Sequence, residues 1–187
     1  MQDIEPYYNW RLFYMAEEDP ASPFYGKEYS EFEFKDTVYN YYIHPQWDAF
    51  GSPTLYLKVL FVDYEEGTAI IEFIGEWNDA LHNDIMLLKR NVIDEMLYAG
   101  ITKYILIVEN VMNFHSSDDS YYEEWNEELS DKDGWVVLLN LPEHLKSEFN
   151  NAGIFKYLFQ QEFSSWRTLE PAMLIERTEE YLLKRIG

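Results

Sequence analysis

The residues of this chain that could do chemistry gather in one stretch, Tyr104 to Trp125 (YILIVENVMNFHSSDDSYYEEW), where an apolar run stops at Glu109 and polar residues take over. Glu109, His115, Asp118 and Asp119 are the residue types that hold a divalent metal or exchange protons as an acid/base set. No HExxH or comparable spacing joins them, acids are abundant everywhere, and residues at a strand end point in different directions, so no metal site and no catalytic residue is assigned. Ser116 and Ser117 precede a helix expected from Ser120. They either cap that helix by accepting amide hydrogen bonds or carry a phosphate stabilised by the same amides. Asp118 and Asp119 oppose a phosphate, which favours the cap.

A second constellation is IHPQWD (Ile43 to Asp48), in which His44 and Trp47 flank Pro45. It could form a pocket wall, or a turn whose Trp seals the core. With Glu109, His115 and Asp118 these two residues make a candidate pocket between the 109–119 loop and the N-terminal segment. His82 and His144 are read as surface or core filling. The eight glycines stand singly, with neither GxGxxG nor GxxxxGK[ST], and there is no GxSxG elbow. No nucleotide or other cofactor is expected.

The elements that must position these residues follow from patterning. The chain has 187 residues, 47% of them hydrophobic, which suits one domain of ordinary size with an extra element. Residues 1–53 alternate aromatics with acids and are punctuated by Pro6, Pro20, Pro23, Pro45 and Pro53; they read as an aromatic, acidic arm packed on a main domain of residues 54–187. Within the arm, extended pieces are expected at Glu31 to Phe34 and Val38 to Ile43. Leu55 to Asp63 and Thr68 to Ile74 form a hairpin across Gly67. An amphipathic helix begins at Asn78 or Asp79, turns Leu81, Ile85, Leu88, Val92 and Met96 inward and Lys89 and Arg90 to solvent, and stops at Gly100. Tyr104 to Val108 is a buried strand, Ser120 to Leu129 a helix, Trp135 to Leu139 a strand, and Pro142 opens a helix. Ile154 to Phe159 is a further strand, and Pro171 opens a last helix with Ile175, Leu182 and Ile186 inward.

The order hairpin, helix, strand, helix, strand, helix, strand, helix over 54–187 resembles the STAS fold of the anti-sigma-factor antagonist family and its SpoIIAA-like relatives. The run VENVMNFHSSD (Val108 to Asp118) is similar to the STAS segment in which a hydrophobic strand leads through a valine and a phenylalanine to a pair of serines. The resemblance implies a STAS-like mixed α/β sheet with helices and places Ser116 or Ser117 at the phosphorylatable position. The family's aspartate before the serines is here His115, and Asp118 and Asp119 follow them.

Composition narrows the partners. A formal charge of −21 repels phosphate backbones and anionic lipid headgroups, so neither nucleic acid nor a membrane is an expected partner. The absence of cysteine excludes disulfides and thiolate chemistry and fits the cytoplasm, as does a polar start without a signal-peptide pattern. The expected function is a non-enzymatic cytosolic regulatory or protein-interaction module. It would meet a protein partner, or itself as a homodimer, through the loop after Val108 and through Tyr121, Tyr122 and Trp125. The alternative is a small-ligand binder or enzyme using the candidate pocket.

Overall fold

The computed structural model describes residues 2–186. Among them, strands form two sheets. The smaller contains β1 (Gln2–Ile4), β2 (Thr37–Val38) and β3 (Tyr41–Ile43) in the order β1-β3-β2. The larger keeps chain order: β4 (Asp48–Ala49), β5 (Leu55–Asp63), β6 (Thr68–Asn78), β7 (Lys103–His115), β8 (Trp135–Leu139) and β9 (Phe159–Gln161). β4, β5 and β6 are antiparallel neighbours, and β6 to β9 run parallel. This is the mixed α/β sheet that the alternation of elements predicts.

The β5–β6 hairpin turns at Gly67, whose φ of +66° suits a residue without a side chain. Farther along β6, Gly75 at φ +115° lets the strand pass Thr54, whose carbonyl oxygen lies 2.0 Å from where a Cβ would stand. Gly75→Ala should therefore cost roughly 3 kcal/mol of stability from backbone strain and overpacking. The check is the urea midpoint at unchanged slope; a wild-type midpoint would mean that β5 and β6 part without penalty.

A bulge interrupts the same hairpin. Register passes from Val59 opposite Ile71 to Phe61 opposite Ile70, leaving Leu60 as the extra residue. One consequence is that Lys58 falls directly opposite Glu72 on the same face of the sheet.

The segment after β6 departs from the single helix expected. Asn78 is the cap, its Oδ1 accepting from the Leu81 amide at 2.9 Å, but α1 (Asp79–His82) ends at Asn83, whose φ is 52°. α2 (Asp84–Leu88), a π turn (Lys89–Ile93) and α3 (Asp94–Tyr98) follow. The break at Asn83 leaves Leu81 79% exposed, off the stripe of buried Ile85, Leu88, Val92 and Met96. Lys89, expected in solvent, is buried. It follows Ile85 by four residues and so borders the stripe, where its stem reaches the acids of α4 (Ser120–Ser130). Burial alone would lower the Lys89 ammonium, but Asp94 and Glu128, the latter at 2.7 Å, hold it above its usual value.

Other boundaries also move. β7 does not end at Val108, because β6 continues to Asn78 and pairs with it, Gly75 opposite Val111 and Asn78 opposite His115. The strand expected at Ile154 to Phe159 is a short 3-10 turn, Ile154–Lys156, before β9; α5 (Glu143–Asn151) precedes it. Glu31 to Phe34 forms no strand, and Val38 to Ile43 is split between β2 and β3 at Tyr39, whose φ is 53°. In α6 (Pro171–Ile186), Leu174, Ile175 and Leu182 are buried but Ile186 is exposed.

The sheet is covered on both faces. Leu57, Ile71 and Leu106 pack beneath Leu88, Trp125 and Phe149 of the helices that follow β6, β7 and β8. The opposite face, including Leu60, Ile70 and Ile107, lies under Trp10, Trp166 and Leu174. Val38, Ile43 and Trp47 seat the small sheet on Tyr56 and Ile74. Both faces of β5 to β8 are apolar for that reason.

Candidate functional site

The structure distributes the residues singled out in the sequence. Glu109 accepts from the Trp166 indole at 3.3 Å and the Asn140 amide at 3.2 Å, and pairs with Arg167. His115 Nε2 stands 3.6 Å from Glu76, and Asp118 accepts from Ser120. Asp119 accepts from Tyr157 at 2.9 Å. The physical reason is strand length, since six residues of extended chain put Glu109 and His115 about 20 Å apart. Among the described residues, no group of three or more His, Asp and Glu could hold a metal ion. His44 faces Glu5 at 3.4 Å, and the Trp47 indole donates to the Ile4 carbonyl at 2.7 Å as part of the core under the small sheet.

Neither serine caps α4. The N-cap is Asp119, without a side-chain bond, and Asp118 instead accepts from the Ser120 hydroxyl and, at 3.1 Å, from the Ser120 amide; these hydrogen bonds hold the Asp118 carboxyl below its usual range. Ser116 Oγ donates to Glu148 Oε1 at 2.7 Å, and Ser117 is exposed. Replacing Ser116 by Asp should remove one hydrogen bond and set two carboxylates against each other, costing roughly 1–2 kcal/mol, more than Ser116→Ala. Chemical denaturation of both variants decides; equal stabilities would mean that Glu148 swings away freely.

The aromatic surface expected at the start of α4 is mostly interior. Tyr122 and Trp125 are each 1% exposed, because they face the sheet while Tyr121 sits at the helix flank beside Arg90. Trp125 packs edge-on to Tyr104 at 5.1 Å. The Tyr122 hydroxyl donates to Asp79 Oδ2 at 2.6 Å, and Asp79 Oδ1 also receives the Trp77 indole at 3.0 Å and the Ile85 amide at 2.8 Å. Burial pushes the Asp79 carboxyl up to about 6, although these three donors pull it down. Asp84 accepts from the Asn78 amide at 2.7 Å beside it. This end of the sheet, where open α/β folds commonly bind ligands, is thus filled by the chain's own side chains.

A different constellation lies on the face covered by the N-terminal segment. Asp48 on β4, Lys58 on β5 and Glu72 on β6 are buried charges on neighbouring strands. Lys58 Nζ stands 3.6 Å from Asp48 and 3.9 Å from Glu17, and 3.9 Å above the Tyr29 ring. Its ammonium is lowered by burial, against the raising effect of both carboxylates. Asp48 Oδ1 accepts from Tyr29 at 2.6 Å and pairs with Lys27 at 3.0 Å. Glu72 receives the Tyr7 amide at 2.8 Å and faces Arg167 at 3.8 Å; burial pushes its carboxyl up to about 7. Tyr7, Trp10 and Trp166 interlock edge to face above it.

Beside this row, between the N-terminal segment and β5, is a cavity of about 360 Å³. Tyr7, Trp10, Arg11, Glu17, His44 and Lys58 are among its walls. Of the candidate pocket residues only His44 lines it; Trp47, Glu109, His115 and Asp118 do not. The sequence carried a signal for the row in Lys58 and Glu72, each a lone charge inside a β-rich apolar run, but nothing in local patterning aligns the two without the bulge at Leu60.

Among the described residues, no helix is long and apolar enough to cross a membrane. No protein-family model and no curated protein matches the chain. Among solved structures, the chain is similar to the anti-sigma factor antagonist SpoIIAA of Bacillus. The phosphorylated form matches at TM-score 0.45 and 18% identity, over 65% of this chain and 98% of that one. The unphosphorylated form matches at TM-score 0.46 and 18% identity, over 66% and 97%. The Thermotoga maritima protein TM1081 matches at TM-score 0.43 and 19% identity, over 60% and 89%. These likenesses to SpoIIAA-type structures are at low identity.

Proposed function

We propose that this chain is a non-enzymatic cytoplasmic protein-interaction module whose contact surface is the outer face of its N-terminal segment. The observation that carries the reading is where exposed aromatics lie. Tyr8, Phe13, Tyr25, Phe32, Phe34, Tyr39 and Tyr42 all belong to the first 42 residues, whereas the rest of the chain exposes only Tyr64 and Tyr98 to the same degree among its described aromatics. Large rings left in water at one part of a surface suit a partner that covers them. Exposed Glu28, Glu31, Glu33 and Asp36 stand among them, so the complementary partner presents basic residues around apolar ones. The Asp79 carboxylate at the end of the sheet is taken up by the Tyr122, Trp77 and Ile85 donors, which supports a non-catalytic role.

The test is site-specific photo-crosslinking in the native host, with the probe at Phe13, at Phe32 and, as a control off this segment, at Tyr98. A protein adduct formed from Phe13 or Phe32 but not from Tyr98 is the expected result. An adduct between two copies of the chain would identify self-association as the interaction. Equal labelling from all three positions, or none, defeats the reading.

A further inference from the structure

We propose that residues 5–15 form a strap that swings off the sheet while the rest of the chain stays folded, and that it is released when the Glu72 carboxyl beneath it gives up its proton. The strap is held at both ends, by the pairing of β1 with β3 up to Ile4 and by the buried Ala16. Between these anchors its backbone turns on itself, Arg11 donating to Tyr8, and Phe13 and Tyr14 to Trp10. Its hold on the sheet and on the chain after β9 is a few single hydrogen bonds. The Tyr7 amide donates to Glu72 at 2.8 Å, the Tyr7 hydroxyl to the Arg167 carbonyl at 2.7 Å, and the Trp10 indole to the Leu169 carbonyl at 2.9 Å. Between the strap and β5 lies the cavity of about 360 Å³, with Tyr7, Trp10 and Tyr14 on one wall and Val59 and Leu60 on the other. A segment anchored by few contacts over open space belongs to the low end of local stability.

Glu72 makes that hold depend on charge. It is 1% exposed, and its Oε1 has no hydrogen-bond partner while Oε2 takes the Tyr7 amide. The groups facing it are Arg167, at 3.8 Å but also paired with Glu109, and Glu109 itself, which repels it. Lys58, opposite it on β5, directs its ammonium to Asp48 and Glu17 instead. An anion so placed gains by letting water in, and Tyr7 and Trp10 belong to the layer that keeps water out. Burial raises the carboxyl to about 7 with the strap closed. Its contribution to closure is therefore complete below the ordinary carboxyl range and is lost as pH rises through that closed-state value. The inference does not rest on partner binding, because Glu72 lies beneath the strap whatever covers Tyr8 and Phe13 above it.

The experiment is hydrogen exchange of the full chain followed by NMR, from about pH 5 to about pH 9. It reads the Trp10 indole N–H against the Leu106 and Val137 amides of the core, each rate divided by its intrinsic rate at the same pH. Trp10 protection should fall roughly tenfold per pH unit up to about pH 7 and then level off, staying roughly a hundredfold or more below that of the two core amides throughout. Glu72→Gln should flatten this course. Arg167→Met, which removes the facing cation, should lower Trp10 protection by more at about pH 8 than at about pH 5, and it decides if Glu72→Gln does not fold. His44 faces Glu5 at 3.4 Å where the strap begins, and His44→Gln should keep the wild-type course. The proposal is overturned if Trp10 is protected as well as the core, if its protection does not change with pH, if Glu72→Gln leaves the slope in place, or if His44→Gln removes it.

Discussion

Asp79→Ala is expected to lose about 3–5 kcal/mol of unfolding free energy at neutral pH, because it removes the sole acceptor of several buried donors. The Tyr122 hydroxyl, the Trp77 indole and the Ile85 amide all converge on this carboxylate. Tyr122 and Trp77 are each 1% exposed, so water cannot replace the lost acceptor without opening the core. The same carboxylate ties the start of α2 to α4, and its loss should loosen the connection between β6 and the helices above. Asp79→Asn keeps one carbonyl oxygen and should lose clearly less. Urea denaturation of both variants gives the comparison; equal losses would mean that charge, rather than the number of accepted hydrogen bonds, holds the network.

Glu72→Gln is expected to do the reverse at alkaline pH and stabilise the protein. Burial raises the Glu72 carboxyl from 4.5 to about 7, with Glu109 adding to the rise and the Tyr7 amide and Arg167 opposing it. An acid whose folded value is raised favours the folded state fully below its unfolded value, and that contribution is lost as pH climbs through the folded one. The Glu72 share of wild-type stability should therefore fall between about pH 5 and pH 8, by about 3 kcal/mol at one pH unit per 1.4 kcal/mol, on top of the loss that the raised Asp79 carboxyl adds around pH 6. Glutamine still accepts the Tyr7 amide but carries no charge to desolvate. The variant and wild type should match near pH 5, and the variant should be the more stable at pH 8. A wild type whose stability is flat or rises over that range would falsify the assignment.

How much of this was legible in the sequence depends on which neighbours decided each feature. The β5–β6 hairpin, α4, β8 and α6 were readable because their apolar spacing, Gly67 and Pro171 act within a few residues. The extension of β7 was not. Glu109 to His115 looks like loop by composition, but its strand pairing is set by β6, a partner roughly forty residues earlier by sequence and adjacent only in the fold. Lys89 was misplaced for a related reason, since Glu128 and Asp94 offset the cost of burying its charge.

The stretch from Tyr104 to Trp125 shows the same division. Its composition was enough for a buried strand, a polar segment and a helix from Ser120, since apolar periodicity records which faces leave water. Three-dimensional packing was needed to decide that Ser116 bonds Glu148, that Tyr122 and Trp125 turn inward, and that Glu109 and His115 belong to different surroundings. It also brought Lys58, Glu17 and Asp48 together beside a cavity that no local pattern announces. Side-chain partners of that kind are chosen by strand register, by one bulged residue and by the chain packed over the sheet, and those are long-range facts that local spacing does not encode.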